Sequence, residues 1–146
     1  MKRIAIGLLT ILAALAVTAG ESDWLTDLPK AQAKAKEEKK MVLLDFTGSD
    51  WCGWCIKLHK EVFSQSEFAE YAGKNLVLVE VDFPRGKKQS AELKKANSAL
   101  QRKYRIEGYP TIIVLDGDGK KIGELGYMKG GPTAFIAELE KIKKKS

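Results

Sequence analysis

Trp51-Cys52-Gly53-Trp54-Cys55 holds both cysteines of the 146-residue chain. Their spacing suits a disulfide that opens and closes within one turn of helix. If a helix begins at or just after Cys52, the first sulfur lies at its N-terminus. There, unpaired backbone N–H groups and the positive end of the macrodipole favour a thiolate over a thiol. Cys55 then falls one turn deeper on the same face, within reach of a mixed disulfide formed on Cys52. Other uses of a cysteine pair fit less well. A closed zinc site takes four ligands, and the chain offers one pair and the single His59. Haem attachment requires His directly after the second cysteine, where Ile56 stands. A purely structural bridge gains most from closing a long loop, and this one closes a short one.

Upstream, Met41-Val42-Leu43-Leu44-Asp45-Phe46 is a nearly continuous apolar run, the pattern of a central strand covered on both faces. Asp45 alone interrupts it, and residues 47–50 form the loop into the cysteines. Residues 22–40 read as a short lead and a helix, with Thr26 or Asp27 as cap and Pro29 in the first turn. Downstream, residues 53–63 are expected to be helical, with Ile56, Leu58, Val62 and Phe63 available for packing. Ser64-Gln65-Ser66-Glu67 has capping-box spacing and predicts a short helix through Tyr71. Residues 76–82 form a second strand, rich in β-branched residues and ended by Pro84-Arg85-Gly86. Residues 90–104 are a helix with Leu93, Ala96, Leu100 and Tyr104 on one stripe. Residues 111–115 and 121–126 are strands joined by the turn Asp116-Gly117-Asp118-Gly119, and Pro132 opens a last helix to about Lys143. The alternation predicts an α/β fold with parallel strands early and an antiparallel hairpin late.

The length suits one domain, residues 20–146. Residues 1–19 have the make-up of a signal peptide. Lys2 and Arg3 precede an apolar run over residues 4–17, and Val17-Thr18-Ala19 offers small residues for cleavage after Ala19. The run is short of the roughly 20 residues a membrane span needs, so a retained anchor is the lesser alternative. No cysteine directly follows the run, which excludes lipid attachment there. The expected location is periplasmic or secreted, where disulfides form and persist. The formal charge of +6 falls to +4 without Lys2 and Arg3. The lysines of residues 30–40 and 141–145 read as solvated helix surface, so nucleic-acid binding is not expected.

Taken together, the chain resembles the thioredoxin superfamily over essentially its whole mature length. The resemblance rests on the buried strand with Asp45, on the Cys52–Cys55 motif opening a helix, and on Gly108-Tyr109-Pro110-Thr111 before the third strand. The runs 45–50 and 61–63 are most similar to exported bacterial thioredoxin-like proteins, near the periplasmic domain of the transmembrane disulfide reductase. The resemblance implies a thioredoxin fold, with a central mixed sheet of about four strands flanked by helices and an extra N-terminal helix. It also implies a monomeric thiol–disulfide oxidoreductase, a reductase rather than an oxidase, with Cys52 attacking and Cys55 resolving. Pro110 becomes a cis proline facing the sulfurs, which crowds out a metal, and Tyr109 offers its backbone to an extended substrate. Trp51, Gly53 and Trp54 complete the substrate-binding surface. Asp45 becomes a buried carboxylate beneath Cys55 that takes its proton. Its other reading is a strand-end residue bonded to the following loop. No cofactor beyond the cysteine pair is implied, and the partners are protein disulfides and a redox partner protein. Three departures from thioredoxin stand out: one extra residue between Asp45 and Cys52, Glu80 where a lysine is common, and Trp54 in place of proline. His59 reads as a solvated helix residue. The alternative function is a non-catalytic module that binds a protein or copper(I).

Overall fold

The apolar run that precedes the cysteines is buried along its whole length as strand β1 (Met41–Thr47). The computed structural model describes residues 24–146. The expected signal peptide, residues 1–19, and the start of the expected domain lie outside the described residues. Around β1 the order is α1 (Leu28–Glu38), β1, α2 (Gly53–Leu58), a π-helical turn (His59–Phe63), α3 (Ser66–Asn75) and β2 (Leu76–Asp82). There follow α4 (Ala91–Lys103), β3 (Thr111–Leu115), β4 (Lys121–Leu125) and α5 (Gly131–Lys145). The strands lie in the order β2-β1-β3-β4. β2 runs parallel to β1, while β3 and β4 each run antiparallel to their neighbour. The expected mixed sheet with an additional helix in front is therefore the one that forms.

Strand periodicity sorts the side chains into two cores. Leu43, Leu78, Ile112 and Val114 face one side and meet Leu58, Val62, Phe63, Phe68, Phe135 and Leu139. Val42, Leu44, Phe46, Val79 and Ile113 face the other, where Ala31 and Ala35 let α1 approach closely. The same alternation puts Asp45, Glu80 and Asp82 on the first face, the one that carries α2. Asp45 and Glu80 are register partners on adjacent strands. Phe63, Phe68 and Phe135 form a ring cluster with centroids 5.0–6.1 Å apart. Phe135→Ala is expected to destabilise the protein by about 3–5 kcal/mol in urea unfolding. A loss under about 1 kcal/mol would mean that the cluster contributes little.

Several local expectations need correction. The helix expected over residues 53–63 is α-helical only to Leu58 and then widens, with Ser64 N–H donating to His59 C=O at 2.8 Å. The i→i+5 repeat brings Phe63 round toward the side of Leu58, so that adjacent Val62 and Phe63 both reach the core. Ile56 is 48% exposed rather than packed. The capping box at Ser64 does not form. Ser64 closes the π turn, its hydroxyl donates to Lys60 C=O, and Glu67 instead accepts from the Thr133 hydroxyl. Gln65 caps α3, which runs on to Asn75. On α4 the buried residue is Asn97, 2% exposed and donating to Asp82 C=O, while Ala96 of the expected stripe is exposed. Asp27, not Thr26, caps α1 by accepting from Lys30 N–H.

Candidate active site

Cys52 is the N-cap of α2, with extended backbone, and is disulfide-bonded to Cys55 across a Cα separation of 5.2 Å. Cys55 N–H donates to Cys52 Sγ at 3.3 Å, so one of the helix's orphan donors is spent on sulfur. Both residues are buried. The loop before them is held from two sides. Cys52 N–H donates to Gly48 C=O at 2.9 Å, and Ser49 N–H donates to Asp82 Oδ1 at 2.9 Å. Asp50 accepts from the backbone N–H groups of Arg85 and Gly86 at 3.0 and 2.6 Å, which hold its carboxyl below the usual range. The β2–α4 loop is thereby fastened beside the cysteine loop.

Trp51 walls one flank. Its indole N–H donates to Phe83 C=O at 2.7 Å, and the Arg85 guanidinium lies 3.9 Å from the ring centroid. Gly48 lies hard against the indole, where no Cβ fits. Tyr109 meets Trp51 edge-on at 5.9 Å and Phe83 at 5.4 Å, and accepts from Gln101. The Tyr109–Pro110 bond is cis, as expected. Trp54 goes elsewhere. It is 57% exposed and packs on Tyr127 at 4.9 Å, with Lys57 Nζ over both rings. Gly53 is exposed, with open space where a side chain would be. Phe83, Arg85 and Tyr127 went unread in the sequence because they lie in loops without periodicity.

Beneath α2, a cavity of about 220 Å³ is lined by Asp45, Ser49, Cys55, His59, Glu80 and Lys87 among others. A larger groove of about 810 Å³, between the start of α1 and α4, contains neither cysteine. Asp45 is 8% exposed and its Oδ1 has no hydrogen-bond partner. Burial first, then the charges of Glu80 and Asp82, push its carboxyl up to about 8. Burial and Asp82 also raise Glu80, against the opposing pull of Lys87 and His59. The loop-tying role considered for Asp45 belongs to Asp82, which accepts from Ser49. His59 is exposed, as expected, yet it lines the same cavity as Asp45 and Glu80. Among the described residues no cluster of three or more His, Cys, Asp or Glu side chains is placed to hold a metal ion.

This sheet, with a cysteine pair at the start of the helix after its central strand, is the framework of a thiol–disulfide oxidoreductase. Residues 28–143 match the thioredoxin-like domain family, and the chain belongs to that family. It is 37% identical over 111 residues to the disulfide bond reductase DsbH of Chlamydia pneumoniae, spanning 76% of this chain and 67% of that protein. It is 33% identical over 114 residues to the thiol:disulfide interchange protein DsbD of Vibrio cholerae, spanning 78% of this chain and 17% of that longer protein. Among solved structures, a DsbH oxidoreductase superposes with a TM-score of 0.82 at 32% identity, covering 94% of this chain and 95% of its own.

Proposed function

We propose that the protein reduces disulfide bonds in exported proteins. The reading is carried by one arrangement, a disulfide whose Cys52 caps a helix and whose Cys55 lines the same cavity as the buried Asp45 carboxyl. The Cys52 thiolate, favoured by the N–H aimed at its sulfur, attacks a substrate disulfide and forms a mixed disulfide. Asp45 takes the proton of Cys55, whose sulfur then attacks Cys52 and releases the reduced substrate. Trp51, Gly53, Trp54, Tyr109 and Pro110 form the surface that receives the substrate, with the open side at Gly53 giving access to Cys52. Electrons come from a partner dithiol, so no organic cofactor takes part. Residues 1–19 are removed on export, leaving a monomeric domain, residues 20–146, in the periplasm or outside the cell. The competing copper(I) reading is tested by metal analysis of the reduced protein. The direct test is reduction of insulin by dithiothreitol with and without the protein. Catalysis above the dithiothreitol background is expected, and its absence would overturn the reading.

A further inference from the structure

The resting chemistry of Asp45 poses a problem that its surroundings address. Its carboxyl, raised to about 8, holds a proton near neutral pH and must release it before it can take one from Cys55. It is 8% exposed, and α2 covers it. The cavity beside it, at about 220 Å³, has room for several waters at about 30 Å³ each. From β2, Glu80 enters that cavity as the register neighbour of Asp45, and it is only half-buried. From the π turn, exposed His59 lines the same space, close enough to Glu80 to act on its charge. The other charged groups facing these two are Asp82, held by Ser49, and Lys87, whose Nζ donates to Ser49 Oγ at 3.0 Å. A half-buried carboxylate and an exposed imidazole thus share the cavity of a buried acid.

We propose that Glu80 and His59 form the proton outlet of the active site, carrying the proton of Asp45 to solvent. The inference rests on the role given above to Asp45 and extends it. In the resolving step Cys55 gives its proton to the Asp45 carboxylate and its electron pair to Cys52 Sγ. The Cys52–Cys55 bond forms as the bond from Cys52 to substrate breaks, and the substrate sulfur leaves with that pair and is protonated from solvent. Asp45 then passes its proton through cavity water to Glu80, Glu80 passes it to the His59 imidazole, and His59 releases it to water. Histidine suits the mouth because its two ring nitrogens can accept a proton on one side and donate one on the other. Glu80 and His59 are relay residues here and act on the sulfurs only through Asp45.

The test is stopped-flow reduction of a saturating protein disulfide by the pre-reduced enzyme, across pH, in dilute buffer with and without added imidazole. Wild type is expected to be indifferent to imidazole. Glu80→Gln and His59→Asn are each expected to be about tenfold slower at pH 7 in dilute buffer, and to recover as imidazole is added. Recovery of this kind separates a proton relay from a packing role, since a small base cannot repair a misfolded site. Asp45→Asn is expected to be slow and to stay slow with imidazole. If both relay variants run at wild-type speed without imidazole while Asp45→Asn is slow, the outlet is wrong and the role of Asp45 stands. If Asp45→Asn is itself as fast as wild type, the role of Asp45 fails and the outlet with it.

Discussion

Cys52→Ser is expected to abolish disulfide reduction, whereas Cys55→Ser is expected to halt the reaction halfway with the substrate attached. Both results follow from the positions of the sulfurs. Cys52 caps α2 next to exposed Gly53, and under the proposed function it is the sulfur a substrate meets first. A serine hydroxyl there stays protonated and does not attack, and losing a nucleophile costs about 10³–10⁶ in rate. Cys55 lies inside the helix, next to the cavity that holds Asp45. Without it the mixed disulfide on Cys52 has no internal thiol to resolve it and accumulates. The check is a non-reducing gel with mass spectrometry of each variant after mixing with a protein disulfide. Adducts are expected with Cys55→Ser and not with Cys52→Ser. The opposite pattern would exchange the two roles.

Asp45→Asn should stabilise the oxidised protein near neutral pH while impairing its turnover. The Asp45 carboxyl, raised to about 8 chiefly by burial, keeps its proton in the folded state at pH values where the unfolded chain, near 3.9, has lost it. The folded state therefore binds more protons than the unfolded between about pH 4 and pH 8, and stability falls as pH rises through that window. At pH 7 the cost is about 4 kcal/mol, taking about 1.4 kcal/mol for each unit above 3.9. Asparagine carries no such cost, though its buried amide returns part of the gain, leaving about 1–3 kcal/mol. Urea unfolding of both proteins at pH 5 and pH 8 is the measurement. Wild type should weaken more steeply than the variant, and parallel pH dependences would mean that the carboxyl is not shifted.

How much could be read from the sequence depended on whether the relevant pattern was local. β1 and β2 were legible because strands covered on both faces leave continuous apolar runs, and the position of Asp45 beneath the cysteine helix follows once side chains alternate along β1. The cysteine pair was legible because the chain lacks the further ligands, or the adjacent histidine, that other uses of the spacing require. The capping box at Ser64 misled because a neighbour had already claimed that residue. The π turn extends to Phe63, and Ser64 N–H serves the carbonyl of His59, its first residue, rather than the start of α3. The stripe on α4 held at Leu100 and Tyr104, which pack against the second core, but it missed Asn97, buried and bonded to the end of β2. Lys87, Arg85, Phe83 and Tyr127 reach the site from irregular segments, where no period announces which way a side chain turns. His59 was read correctly as exposed, but the cavity at its foot exists only in three dimensions.

The clamp at Asp50 has a consequence for how such a site can diversify. It grips main-chain hydrogens of residues 85 and 86, not side chains. Residue 86 is constrained all the same, because a Cβ there would come within 3.1 Å of the gripping carboxylate. Residue 85 needs only to keep its backbone N–H, and the guanidinium it carries lies over the indole of Trp51. Backbone anchorage and side-chain identity are thus uncoupled on this flank of the cysteine pair, since the clamp holds whichever side chain residue 85 bears.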